Sequence, residues 1–75
     1  MITTGTIVRH GSPGYELLET IKDITDKSDK KLIAFESGHT TLMDSADLQK
    51  LLDEGEVQYA RSFLDGYAYE SMIIA

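Results

Sequence analysis

The sequence predicts a mostly β domain with one short helix, an α+β arrangement in which a small barrel or curled antiparallel sheet carries a C-terminal hairpin. Three observations predict it. Turn-forming clusters recur at short intervals, at Gly11-Ser12-Pro13-Gly14, Asp26-Lys27-Ser28-Asp29, Ser37-Gly38-His39, Gly55 and Asp65-Gly66, so the segments between them are mostly strand-sized. One segment alone combines capping residues, helical apolar spacing and a glycine stop. Length permits a single domain, residues 1–75, because domains usually run to about 100 to 150 residues, and no repeat or linker divides the chain.

The elements follow in chain order. Thr3 to His10 is rich in Thr, Ile and Val and ends at the glycine-proline cluster, which suits a strand. Tyr15 to Thr25 reads two ways. Leu17, Leu18, Ile21 and Ile24 make a helical stripe with Ser12-Pro13 as its start. As a strand, the same segment sets Tyr15, Leu17, Glu19 and Ile21 on one face and Leu18, Thr20 and Ile24 on the other. Lys31 to Glu36 and Thr40 to Met43 flank a three-residue turn and predict a hairpin. From about 45 to 54 the spacing predicts a helix. Asp44 or Ser45 can accept its free N–H groups, Asp47 lies in its first turn, Leu48, Leu51 and Leu52 form its apolar face, and Gly55 ends it. Such a short helix is unstable alone, so its leucines must dock on the sheet.

The tail, 56–75, is either a hairpin or a helical extension. A helix would align Ala60, Phe63, Leu64, Tyr67, Ala68 and Met72 but would enclose Gly66, at about 1 kcal/mol. A hairpin around Asp65-Gly66 opposes Phe63 with Ala68, Arg61 with Glu70, Tyr59 with Met72, and Val57 with Ile74. Its apolar and opposite-charge pairs favour it.

The stretches Gly5-Thr6-Ile7-Val8-Arg9-His10, Gly14-Tyr15-Glu16-Leu17-Leu18-Glu19 and Lys31-Leu32-Ile33-Ala34-Phe35 together resemble a small SH3-like barrel over residues 4–54. The resemblance implies a strand at Tyr15 to Ile24 and a short helix after the second hairpin. It departs from the nucleic-acid-binding members of that family, which carry basic strand faces, and the last twenty residues have no counterpart in it. Of function it implies little, because the fold hosts many unrelated tasks.

Composition narrows the function classes. A chain of this length buries only about 60 to 65% of its unfolded surface, which leaves little core for a catalytic cleft, so no enzyme is expected. The absence of cysteine excludes disulfides and thiolate metal sites and suits the cytoplasm. Met1-Ile2-Thr3-Thr4-Gly5 lacks the features of a signal peptide, and no apolar run approaches the roughly 20 residues that span a bilayer. The longest such run, Met72-Ile73-Ile74-Ala75, predicts a paired strand or an oligomer contact.

The net charge of −6 belongs to the second half. Up to residue 35, Glu16, Glu19, Asp23, Asp26 and Asp29 cancel Arg9, Lys22, Lys27, Lys30 and Lys31. Between 44 and 56, Asp44, Asp47, Asp53, Glu54 and Glu56 face only Lys50. These acids are either the solvated face of the helix or a ridge that docks on a basic protein groove. Asp53, Glu54 and Glu56 favour the second reading, since the helix dipole disfavours acids at that end.

Other constellations are thinner. His10 and His39 border turns, and on paper pair with Asp44 or Glu36, but a zinc site needs three or four ligands at characteristic spacing; no metal or cofactor is expected. Ser12 or Ser37 with a histidine and an aspartate has the residue types of a triad without its geometry. Gly11-Ser12-Pro13-Gly14 lacks the Lys and Ser/Thr of a phosphate loop. Tyr59, Phe63, Tyr67 and Tyr69 cluster near Met72 and Ile73, and tyrosine-rich patches anchor interfaces, so a homodimer or partner contact competes with core packing. The resulting expectation is an acidic protein-binding module, an inhibitor or adaptor similar in style to phage accessory proteins that occupy nucleic-acid-binding surfaces. Its partner-binding residues would be Asp44, Asp47, Asp53, Glu54, Glu56, Tyr59, Tyr67 and Tyr69. The alternative is a nucleic-acid-associated module using Arg9, Lys22, Lys27, Lys30 and Lys31, against which the acidic balance argues.

Overall fold

The computed structural model describes residues 4–12, 14–63 and 66–75, and for 61–63, 67 and 68 the backbone only. Among the described residues, six strands and one helix follow in the order β1 (Ile7–Ser12), β2 (Tyr15–Lys27), β3 (Lys30–Phe35), β4 (Thr40–Asp44), α1 (Ser45–Glu54), β5 (Glu56–Phe63) and β6 (Gly66–Ile74). The strands form one antiparallel sheet, ordered β4-β3-β2-β1-β6-β5, curled and not closed into a barrel. The mostly β, α+β expectation is met, and the architecture is compatible with a small SH3-like fold. Among the described residues no helix is long and apolar enough to cross a membrane.

Strand β2 organises the sheet. Its first half pairs with β1, from Ser12↔Tyr15 to Ile7↔Thr20. Its second half pairs with β3, from Ile21↔Phe35 to Lys27↔Lys30, with a register break between Ile21 and Asp23. In a regular strand Ile21 and Ile24 would point to opposite faces. The extra residue at the break returns both to the concave side, where Ile21 is buried and Ile24 packs against the core. The apparent helical spacing of these two isoleucines is therefore the signature of a bulged strand. Leu18, which a helical stripe would bury, is 67% exposed on the convex face.

The turn before β2 depends on a glycine. Gly11 has φ +134°, and a Cβ there would lie 2.7 Å from the Tyr15 carbonyl oxygen. The proline of this loop, Pro13, lies outside the described residues.

The core fills the concave face with Val8, Ile21, Ile33, Phe35, Met43, Val57 and Met72, and α1 adds Leu48 and Leu51. Burying one such side chain contributes about 1.5–3 kcal/mol, which is how a ten-residue helix is held. Because α1 joins β4 directly to β5, it spans the gap between the two free sheet edges and contacts β3, β4, β5 and β6. Gly55 ends it in the left-handed conformation, its N–H donating to the Leu51 carbonyl at 2.7 Å. At the other end Asp44 occupies the N-cap without a side-chain capping bond. The Lys30↔Asp44 pairing of β3 and β4 sets its carboxylate against the Lys30 ammonium instead.

The tail is a hairpin, but its register differs by two residues from the one expected. Phe63 opposes Gly66, Arg61 opposes Ala68, Tyr59 opposes Glu70 and Val57 opposes Met72; Leu64 and Asp65 lie outside the described residues. A shift of two keeps each side chain on its face, so the inward set survives while the partners change. As an inner strand β6 pairs on both edges: Ile74 lies beside Val8 and Met72 beside His10 on β1, while Met72 also lies beside Val57 on β5. The apolar run at 72–74 is thus a paired strand between β1 and β5.

Candidate functional site

The trough of the curled sheet has two unlike ends. Along β1 the inward positions run from Val8 to His10, and along β2 from Ile21 to Glu19, so each strand passes from core to polar chemistry within two residues. Glu19 stands beside Val8 in the ladder, with its side chain 4% exposed. A carboxylate in that position requires donors. It accepts hydrogen bonds from the Ser37 hydroxyl, from His10 Nε2 and from His39 Nδ1 at 2.7 Å.

The donors come from two places. His10 is supplied by β1, and its ring stacks on Phe35, centroids 4.6 Å apart and planes 18° apart. Ser37 and His39 are supplied by the turn between β3 and β4, where the Ser37 hydroxyl oxygen also accepts the His39 backbone N–H at 3.3 Å. Burial opposes ionisation of Glu19 and is the largest single influence on it. The hydrogen bonds from Ser37, His10 and His39, with the charge of His10, together outweigh burial and lower its pKa to about 2.

Ser37 gives its proton to Glu19, and neither histidine is positioned as its base, so the serine-histidine pairing considered from the sequence is replaced by a glutamate hub. Both imidazoles direct a ring nitrogen to the same carboxylate. Among the described residues no group of three His, Asp or Glu side chains is placed to hold a metal ion, and Asp44, one of the acids considered for it, is engaged by Lys30.

Beside the hub lies a cleft of about 320 Å3. His10, His39, Tyr15, Leu17, Thr41 and Glu70 supply most of its wall. Glu70 is buried and accepts a hydrogen bond from the Tyr59 hydroxyl at 2.9 Å. Tyr15 and Leu17, at 83% and 51% exposure, form an uncovered apolar rim.

The residues singled out from the sequence fall elsewhere. Asp47 is half-buried in the first turn of α1. Asp53 is exposed and accepts a hydrogen bond from Gln49 at 2.9 Å, while Glu54 and Glu56 are exposed and share a shallow groove with Lys50. The acids therefore divide between the two ends of a helix about 15 Å long, with Asp53, Glu54 and Glu56 gathered at one. Tyr59 faces inward toward Glu70, and Tyr69 is exposed on the opposite face. The side chain of Tyr67 lies outside the described residues. Of the bases, Arg9 pairs with Glu16 at 3.3 Å, Lys31 with Asp26 at 2.8 Å, and Lys30 with Asp44. Hydrogen bonding and charge from Asp44, then the nearby Asp29 and Asp47, raise the Lys30 pKa.

Sequence reasoning passed over Glu19 and Glu70. The strand alternative had already placed Glu19 between Leu17 and Ile21 on one face, and a charge on a core-facing position is itself a signal that partners must exist.

The molecule is a curled antiparallel sheet, stoppered at one end by a helix and opening at the other into a polar cleft. No family model matches the chain, and no curated protein or solved structure matches it either.

Proposed function

We propose that this domain is a protein-binding module, an inhibitor or adaptor that docks the acids of α1 and early β5 on a basic surface of its partner, of the kind that otherwise holds nucleic acid. One observation carries the reading. Asp53 and Glu54 occupy the last turn of α1, which holds no basic residue, and Glu56 follows one residue past the cap. Acids there oppose the helix dipole by about 0.3–1 kcal/mol each, and all three are exposed rather than held by the core. Fold stability does not account for them, whereas attraction to a basic partner does. The ion pairs on Arg9, Lys30 and Lys31 support the same choice over a nucleic-acid role.

The test is parallel affinity capture from cell lysate with the native chain and with Asp53→Lys, Glu54→Lys, Glu56→Lys combined. The expected result is a partner retained by the native chain, released by salt and absent from the variant. Equal retention by both refutes the reading.

A further inference from the structure

We infer that the gap between β4 and β5 receives one extended segment of a partner protein as an added strand, with apolar side chains at alternate positions. The inference goes beyond the acidic reading of α1 and does not depend on it.

The free edges are the first argument. Strands β4 and β5 end the sheet, and their ladders fix which backbone groups point outward. The Phe35 N–H donates to the His39 carbonyl at 2.9 Å and the Ser45 N–H to the Asp29 carbonyl at 3.0 Å, one bonded pair beyond each end of the ladder between β3 and β4. By the alternation of an antiparallel ladder, Thr41 and Met43 bond to β3, whereas Thr40 and Leu42 turn N–H and C=O away from it. The Ile74 N–H, which donates to the Gly55 carbonyl at 2.8 Å, sets the ladder between β5 and β6 in the same way. There Gln58 and Ala60 face outward. Neither edge strand carries the proline, lysine or bulge that commonly blunts a sheet edge.

Width is the second argument. Among the described residues no Cα of β4 lies within 8 Å of a Cα of β5, too far for the edges to pair, since neighbouring strands stand about 4.8 Å apart. Two such steps, about 9.6 Å, let one further strand bond to both edges. A groove of about 530 Å3 fills the gap, with Thr40, Thr41 and Leu42 on one wall and Tyr59 and Ala60 on the other. The sheet edge of a second folded copy is already paired on one side, so it can cover one of these edges but not both. A single extended segment bonds to both, which selects the occupant. Its outward side chains would lie on the convex face between Leu42, 54% exposed, and Ala60, whose ladder neighbour Tyr69 is 62% exposed. Apolar residues at those alternate positions would join two separated apolar patches, while the main chain supplies the affinity.

The experiment selects displayed random dodecapeptides on the full chain and follows one selected peptide, made synthetically, by NMR. The amides of Thr40, Leu42, Gln58 and Ala60 should exchange freely in the chain alone and at least about tenfold more slowly in the complex. Leu42→Pro and Ala60→Pro each remove an outward N–H with no ladder bond to lose, and each should weaken the peptide at least about tenfold. The same peptide N-methylated at alternate residues should lose binding to the native chain, a test that stands even if a proline variant fails to fold. Glu54→Lys should leave the affinity unchanged, so a failure of the helix reading and a failure of the gap are told apart. An empty selection, shifts confined to other surfaces, or full affinity after N-methylation overturns the inference. A dimer by light scattering with the same amides protected before peptide is added overturns its assignment to a partner segment.

Discussion

Replacing Glu19 with glutamine removes one charge and almost no volume from the centre of the polar cluster, and the cost follows from the carboxyl's own titration. Folding lowers its pKa from 4.5 to about 2. Each pH unit of such a difference is worth about 1.36 kcal/mol, so the ionised carboxylate contributes about 3 kcal/mol if unscreened, and about 1–3 kcal/mol once water around the exposed His39 and Ser37 is allowed for. Because the folded pKa is the lower one, this stability is fully present above pH 4.5 and is lost as pH falls toward 2. For a domain of this size 1 kcal/mol moves Tm by about 4–8 °C, so Glu19→Gln should melt roughly 5 to 20 °C lower at neutral pH. Circular-dichroism melts of both chains from pH 7 to pH 2 provide the assay. The native Tm should fall between pH 4.5 and 2 by more than that of the variant, bringing the two together at the acid end. Curves that stay parallel across that window refute the reasoning.

Two further outcomes test the scaffold. Gly11→Ala should cost about 1–3 kcal/mol, from a strained positive φ and a Cβ driven against the Tyr15 carbonyl, read as a lower urea midpoint with unchanged slope. Leu51→Ala should cost about 2–5 kcal/mol, because this fully buried residue anchors the helix to the sheet; a midpoint within error of the native chain would show that α1 is not docked as described.

What could be read in the sequence depended on how local the cause was. Helix α1 was legible because the Leu48, Leu51 and Leu52 spacing and Gly55 act within one segment, whereas the Asp44 side chain, expected to cap it, turns to Lys30 on β3. Strand β2 was not, because its bulge at Lys22 is fixed by pairing with β3, and before that pairing is known Ile21 and Ile24 look helical. The tail read correctly as a hairpin but in a register two residues off, since both registers set the same side chains inward and local pairing alone does not choose between them. The acids of α1 were visible as a charge run. The Glu19 hub was hidden because its partners lie 9, 18 and 20 residues away, and no periodicity links them.

The sheet order has a mechanical consequence. Strands β1 to β4 form one meander and β5 with β6 another, and within the sheet they meet along a single seam, Val8 to Gly11 against Ser71 to Ile74. Helix α1 is the strap across the far side. The cleft straddles that seam, drawing Glu70 from one meander and His10, Tyr15 and His39 from the other. Four residue pairs, the helix and the core that Val57 and Met72 share with Val8 and Ile21 keep the two halves from parting, and amides along the seam should be the first to report their separation by hydrogen exchange.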